Sequence, residues 1–284
     1  MTALFRLLAR LPLTWLQTLG QGLGWLAWWA SPTYRRRFVD NTQAAGLSWA
    51  QVRPAIGAAG VMLAELPWLW MRKARGQPIP LQWDGSEHVE QGLEEGRGVI
   101  VLSPHLGCWE LGAQILAERW GSQHGPLWVM YRPARKAWLE ALVAHSRQRP
   151  NLQAAPANQS GVRQLLRALR QGGLVALLPD QVPPLGQGVW APFWGRDAYT
   201  ITLAARLARQ TQARVVMAWC ERLPIGQGFI AHVEPWEFSG LYDPQTPVEE
   251  AVLAMNAHIE SMVRRAPAQY LWGYARYKQP RAQG

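Results

Sequence analysis

A chain of 284 residues is long enough for one large or two small domains with a sizeable core. Lysine and arginine outnumber aspartate and glutamate by 29 to 19, a formal charge of +10, and 17 residues are tryptophan. The charge calls for a polyanionic partner; with so much tryptophan, and with no RNA-binding signature, zinc-finger spacing or long basic tract, a lipid headgroup surface is favoured and nucleic acid is not expected.

From Leu11 to Tyr34 the chain carries no charge, and Arg35-Arg36-Arg37 follows at once. That stretch is long enough to cross a bilayer, yet it holds Thr14, Gln17, Thr18, Gln21 and three glycines. An amphipathic helix lying in the interface, with Arg6, Arg10 and the arginine triplet at phosphate level, is an equal reading. A cleaved signal peptide fits less well, because no small-x-small site follows a short apolar core. Residues 1–37 are therefore expected to form a membrane anchor or interfacial helix, 38–279 a catalytic domain and 280–284 a disordered tail.

Trp49 to Arg75 reads as helix, with Glu65 and Pro67 inside it. Apolar strands are then expected near Leu81 and over Val99 to Leu102, Leu127 to Tyr131, Leu174 to Leu178 and Arg214 to Glu221. Helical stretches separate them, starting from Gly107, Lys136, Gly161 and Thr200. Phe229 to Val233 is expected as an edge strand and Pro247 to Arg264 as a late helix. Strands alternating with helices predict an α/β layered sheet with flanking helices, preceded by the N-terminal membrane-associated helix.

The run Val99-Ile100-Val101-Leu102-Ser103-Pro104-His105-Leu106-Gly107-Cys108-Trp109-Glu110 ends a strand at a histidine, with a carboxylate five positions on. On one continuous helix a five-residue step would leave the two side chains apart, so they can meet only across a turn. Pro104 and Gly107 supply one, and Glu110 falls in the first turn of the following helix, where the helix dipole favours an ionised carboxylate. His105 is thus a candidate base and Glu110 its orienting partner. The same pair also fits a histidine satisfied by backbone groups beside a solvated glutamate. Cys108 sits between them as a candidate thiol nucleophile or, by preference, a small buried side chain. His105 and Cys108 make at most two zinc ligands, so no metal and no cofactor are expected. The two cysteines, Cys108 and Cys220, suggest no disulfide scaffold and fit a reducing compartment.

Three further motifs follow: Tyr131-Arg132-Pro133 after a strand; Gly161 to Gly173, a basic helix containing Arg163; and Leu178-Pro179-Asp180-Gln181, leading into Gly188-Val-Trp-Ala-Pro-Phe-Trp-Gly195. His105, Arg132 and Asp180 all lie just past strand ends, where open α/β sheets bind ligands. Trp190, Phe193 and Trp194 are candidates for a channel wall or lid. In register with His105, Glu110 and the closing Tyr270-Leu-Trp272 and Arg276-Tyr-Lys278, these motifs resemble the bacterial lysophospholipid acyltransferase superfamily. Within it, the chain is most similar to the secondary lauroyl and myristoyl acyltransferases of lipid A biosynthesis. Two stretches depart from that pattern: Ala134-Arg135-Lys136 stands where the family usually has asparagine, and Asn41 to Ser48 replaces a Phe-Pro-Glu stretch.

The resemblance implies a glycerol-3-phosphate acyltransferase-like fold at the cytoplasmic face of the bacterial inner membrane. It implies acyl carrier protein, or acyl-CoA, as donor and a lipid A precursor or another lysolipid as acceptor. His105 and Glu110 would be catalytic, with Arg132, Arg163 and Asp180 binding substrate. A thioesterase and a non-catalytic membrane-surface protein are the other readings.

Overall fold

The computed structural model describes residues 2–71, 79–131 and 149–282. Arg132 and the helix expected from Lys136 lie outside the described residues.

Five helices come first: α1 (Thr2–Leu8), α2 (Leu13–Ala30), α3 (Pro32–Ala44), α4 (Trp49–Val52) and α5 (Pro54–Met71). An α/β layer follows, with β1 (Leu81–Asp84), α6 (Glu87–Glu94), β2 (Val99–Leu102), α7 (Trp109–Trp120), β3 (Leu127–Tyr131), β4 (Leu152–Pro156), α8 (Gln159–Arg170) and β5 (Leu174–Leu177). The chain continues through β6 (Gly188–Phe193), β7 (Arg196–Ile201), α9 (Leu203–Thr211), β8 (Arg214–Arg222), β9 (Phe229–Pro235) and α10 (Val248–Arg265).

Seven strands form one sheet in the order β1-β9-β8-β2-β5-β3-β4, parallel except for the β8/β9 pair. This is the mixed, layered sheet expected. β2 is buried on both faces, as a central parallel strand should be. Its alternation sorts the two layers: Ile100 and Leu102 join the core under α8, α9 and α10, whereas Val99 and Val101 join the core under α6 and α7. One local expectation is corrected and two elements are added. Phe229–Pro235 lies between β1 and β8, so it is not an edge strand. Leu152–Pro156, too short and mixed to stand out, is the outermost strand beyond β3. The segment 188–201 is a hairpin, β6 paired with β7, and Phe193 and Trp194 are buried in the main core.

Among the described residues the helix long and apolar enough to cross a membrane is Trp49–Met71, and half of its apolar window is buried inside the protein. It packs on α2 at very close range. A Cβ on Gly60 would lie 2.0 Å from the Gly20 carbonyl oxygen, and one on Gly24 2.2 Å from that of Ile56, so both helices need glycine there. Glu65 of α5 is completely buried; its carboxylate accepts from Arg222 Nε of β8 at 2.7 Å and from Gln17 Nε2 of α2 at 2.9 Å. A buried ion pair thus joins α5 to β8 of the sheet. Removing one partner would leave a buried charge uncompensated. Arg222→Met should therefore lower the unfolding free energy by about 3–5 kcal/mol, and adding Glu65→Gln should recover part of that loss, as read by urea titration.

Candidate active site

β2 and β5 are adjacent parallel strands with Leu102 in register with Leu177. His105 and Asp180 each lie three positions beyond that pair, so the topology brings together two residues 75 apart in sequence. Asp180 grips His105 twice: one carboxylate oxygen is 2.7 Å from Nδ1, and the other accepts the His105 backbone N–H at 2.9 Å. The His105 carbonyl accepts from the Leu271 N–H at 3.1 Å, which holds the residue from its other side.

The bend that follows is enforced by Gly107, whose φ is +62° and whose absent Cβ would sit 2.0 Å from the Cys220 carbonyl oxygen. Trp109 then opens α7 and sets its ring edgewise against His105, with centroids 4.9 Å apart.

Burial pushes the Asp180 carboxyl upward, but the His105 imidazole, the two hydrogen bonds from His105 and the nearby Arg276 outweigh it and hold the group below its usual value. Arg276 is itself buried, donating to the Tyr199 carbonyl at 2.9 Å and to the Thr200 hydroxyl. The Tyr270 hydroxyl is pushed well up by burial and by the same carboxylate. An ionised Asp180 accepts from Nδ1–H, and in the neutral ring that tautomer leaves the lone pair on Nε2. Gln181 Nε2 lies 2.9 Å from that atom.

The expected partnership of His105 with Glu110 is therefore corrected in its geometry: Nδ1 faces Asp180 and Nε2 faces Gln181. Glu110 does stand in the first turn of α7, but its carboxylate turns toward α5 and accepts the Trp70 indole N–H at 3.1 Å. There it walls a narrow apolar cleft of about 100 Å³ between α7 and the sheet, together with Trp109, Ile115, Val129, Ala176 and Trp219.

Asp180, expected among the substrate contacts, is buried and bonded to the His105 imidazole. Arg163 is in the second turn of α8, whose N-terminus is capped by Asn158. It lines a separate cleft with Arg206, Gln187 and Thr202, and among the described residues neither arginine has an ion-pair partner. Met130 near the end of β3 lines both clefts. Cys108 is buried, with burial and Glu65 keeping its thiol protonated well above the usual range, and Cys220 is pushed up to about 12. A thiolate nucleophile is disfavoured there.

Gln181, Tyr270 and Arg276 were not singled out by sequence as parts of a site. Gln181 follows directly on Asp180 past a strand end, and that was the available signal. The other two reach it only through the fold.

A family model described as bacterial lipid A biosynthesis acyltransferase matches residues 1–279. The chain belongs to that family. It is 29% identical to a lipid A biosynthesis acyltransferase of Haemophilus influenzae over 66% of this chain and 56% of the relative. It is 28% identical to the lipid A biosynthesis lauroyltransferase of Escherichia coli over 77% of this chain and 68% of that protein. The palmitoleoyltransferase of the same organism is 27% identical over 69% of this chain and 60% of its own length. The match thus spans little more than half to two thirds of these relatives.

A carboxyl held below its ordinary value stabilises the fold above its unfolded pKa, and that contribution is lost as pH falls through the folded value. The lowered Asp180 carboxyl has an ordinary value of 3.8. Thermal melts should accordingly show the wild-type protein losing stability below about pH 4 more steeply than Asp180→Asn. Parallel acid profiles for the two proteins would refute this assignment.

Proposed function

We propose that this protein transfers a fatty acyl chain from an acyl thioester, carried by acyl carrier protein or CoA, to a hydroxyl of a lipid A precursor. The observation that carries the reading is a histidine whose Nδ1 is bonded to a buried carboxylate and whose ring stands against Trp109, a residue of the apolar cleft wall. Nε2 takes the proton of the acceptor hydroxyl as its oxygen attacks the thioester carbonyl. The C–S bond breaks, and the imidazolium returns the proton to the departing thiolate. Asp180 orients the ring and stabilises the imidazolium, the part played by the carboxylate in histidine–carboxylate pairs. No covalent enzyme intermediate is required.

Glu110 remains in the catalytic group as a residue of the cleft wall, fixed by Trp70, where the acyl chain would lie against the apolar side chains. Arg163, with Arg206, offers a place for phosphate on the acceptor or the donor, and a basic surface suits an acidic carrier protein. The names of the relatives, which act in lipid A biosynthesis, support this choice of acceptor.

Attachment to the inner membrane at its cytoplasmic face is part of the same reading. Trp15, Leu19, Leu23, Leu26 and Trp29 are exposed along one face of α2, at spacings of three and four residues, with Trp29 72% exposed. The opposite face, with Leu16, Gln17, Gly20 and Gly24, is buried. Arg10, Arg36 and Arg37 are exposed at its two ends, and Arg35 caps the last carbonyls of the helix, donating to Trp28 and Trp29 at 2.7 Å. Such a face, rimmed by arginine, suits the interface of an anionic bilayer.

Lipid mass spectrometry after incubation with acyl carrier protein thioesters and a tetra-acylated lipid A precursor tests the reaction. An added acyl ester is expected, with His105→Ala reducing it by about 10²-fold or more. An increment on a different lysolipid alone would move the acceptor; an increment insensitive to His105→Ala would sink the mechanism. For the membrane face, Leu26→Glu with Trp29→Glu should abolish flotation with phosphatidylglycerol-containing vesicles while leaving circular dichroism unchanged.

A further inference from the structure

The lone pair that the proposed reaction needs is already occupied. Gln181 Nε2 stands 2.9 Å from His105 Nε2. With an Nδ1 proton bonded to Asp180 at 2.7 Å, the neutral ring has its lone pair on Nε2, and the carboxamide nitrogen of Gln181 stands where its N–H meets that lone pair. The backbone that delivers this carboxamide is fixed on both sides. Asp180, immediately before, is clamped to His105, and the Val182 N–H, immediately after, donates to the Tyr274 hydroxyl at 3.0 Å. The Gln181 side chain, in contrast, is joined to that backbone through rotatable bonds and can leave. Any molecule that is to lose a proton to Nε2 must first displace it. A water molecule brings little besides the hydrogen bond it would gain, whereas an acceptor lipid held in the site brings its remaining contacts as well.

We propose that Gln181 is a positioning residue that withholds His105 Nε2 from water until an acceptor hydroxyl displaces its carboxamide, so that a bound thioester is transferred rather than hydrolysed. The proposal rests on the acyl-transfer reading above. In the suppressed reaction, water oxygen bonds to the thioester carbon and its proton passes to Nε2. The C–S bond then breaks and the imidazolium protonates the thiolate, giving a fatty acid and a free thiol.

Two variants of similar size separate this role from a structural one. Gln181→Leu cannot donate, so hydrolysis of dodecanoyl-CoA without acceptor should rise about fivefold or more, in a His105-dependent manner. Gln181→Glu places a carboxylate that accepts from Nε2–H and holds the ring doubly protonated, so hydrolysis and transfer should both fall by about tenfold or more. A residue needed only for folding would lower both activities in both variants.

Independently of turnover, diethyl pyrocarbonate modifies an imidazole through its free lone pair. Carbethoxylation of His105, followed by peptide mass spectrometry, should be faster in Gln181→Leu than in the wild type and slower in Gln181→Glu. Equal carbethoxylation rates overturn the proposal, and so does unchanged hydrolysis in Gln181→Leu where His105-dependent transfer is present. Faster carbethoxylation with no His105-dependent turnover on any acyl thioester would instead overturn the acyl-transfer reading and leave the occupied lone pair standing.

Discussion

The double hydrogen bond between Asp180 and His105 is the constraint on which the rest of the site depends. It spans the ends of two neighbouring parallel strands, and it fixes the imidazole by backbone and ring together. Burying a carboxylate is costly unless its charge is matched, and here the match comes from the imidazole, two hydrogen bonds and Arg276. The consequence is chemical as well as structural. The same interaction that satisfies a buried charge decides which nitrogen of the neutral ring carries the proton, and therefore which one can act as a base.

A C-terminal strap completes this arrangement. Leu271 holds the His105 carbonyl, Gln269 bonds the backbone of Arg222 in both directions, and its own carbonyl accepts from Gly107. Asn41 of α3 then grips the carbonyls of Trp272 and Tyr274, and the Tyr274 hydroxyl accepts the N–H of Val182. The helical layer that presents an apolar face outward is thereby joined, through directed polar contacts, to the loop that carries Asp180 and Gln181. Such contacts specify one geometry more sharply than apolar packing does, since each would leave an unsatisfied polar group if the strap shifted.

The N-terminal helices obey two demands at once. α2 and α5 approach so closely that glycines line their contact, and Gln17 and Glu65 bury polar groups where a membrane-spanning pair would place hydrocarbon. On α2 the apolar residues left outside, Trp15, Leu19, Leu23, Leu26 and Trp29, lie on one stripe. This partition explains why an uncharged stretch of spanning length can belong to the folded body of the protein: Gln17 faces inward to Glu65, and Trp15 and Trp29 face outward.

The sequence by itself determined the parts that depend on local order. The apolar run Val99–Leu102, Pro104 and Gly107 were enough to place His105 past a strand end and Glu110 in a first helical turn, and alternating strands and helices were enough for the α/β class. Strand Leu152–Pro156 and the hairpin over residues 188–201 escaped because neither has a clean period-two pattern bounded by turn residues; Phe193 and Trp194 looked like a loop cluster and are core. What only the tertiary structure decided was partnership. Which carboxylate meets His105 depends on β2 and β5 being neighbours in register, and no spacing within the H-x-x-x-x-E box encodes that. The nearer carboxylate in sequence faces Trp70, and the one 75 residues away faces the imidazole, because contacts follow strand order rather than chain distance.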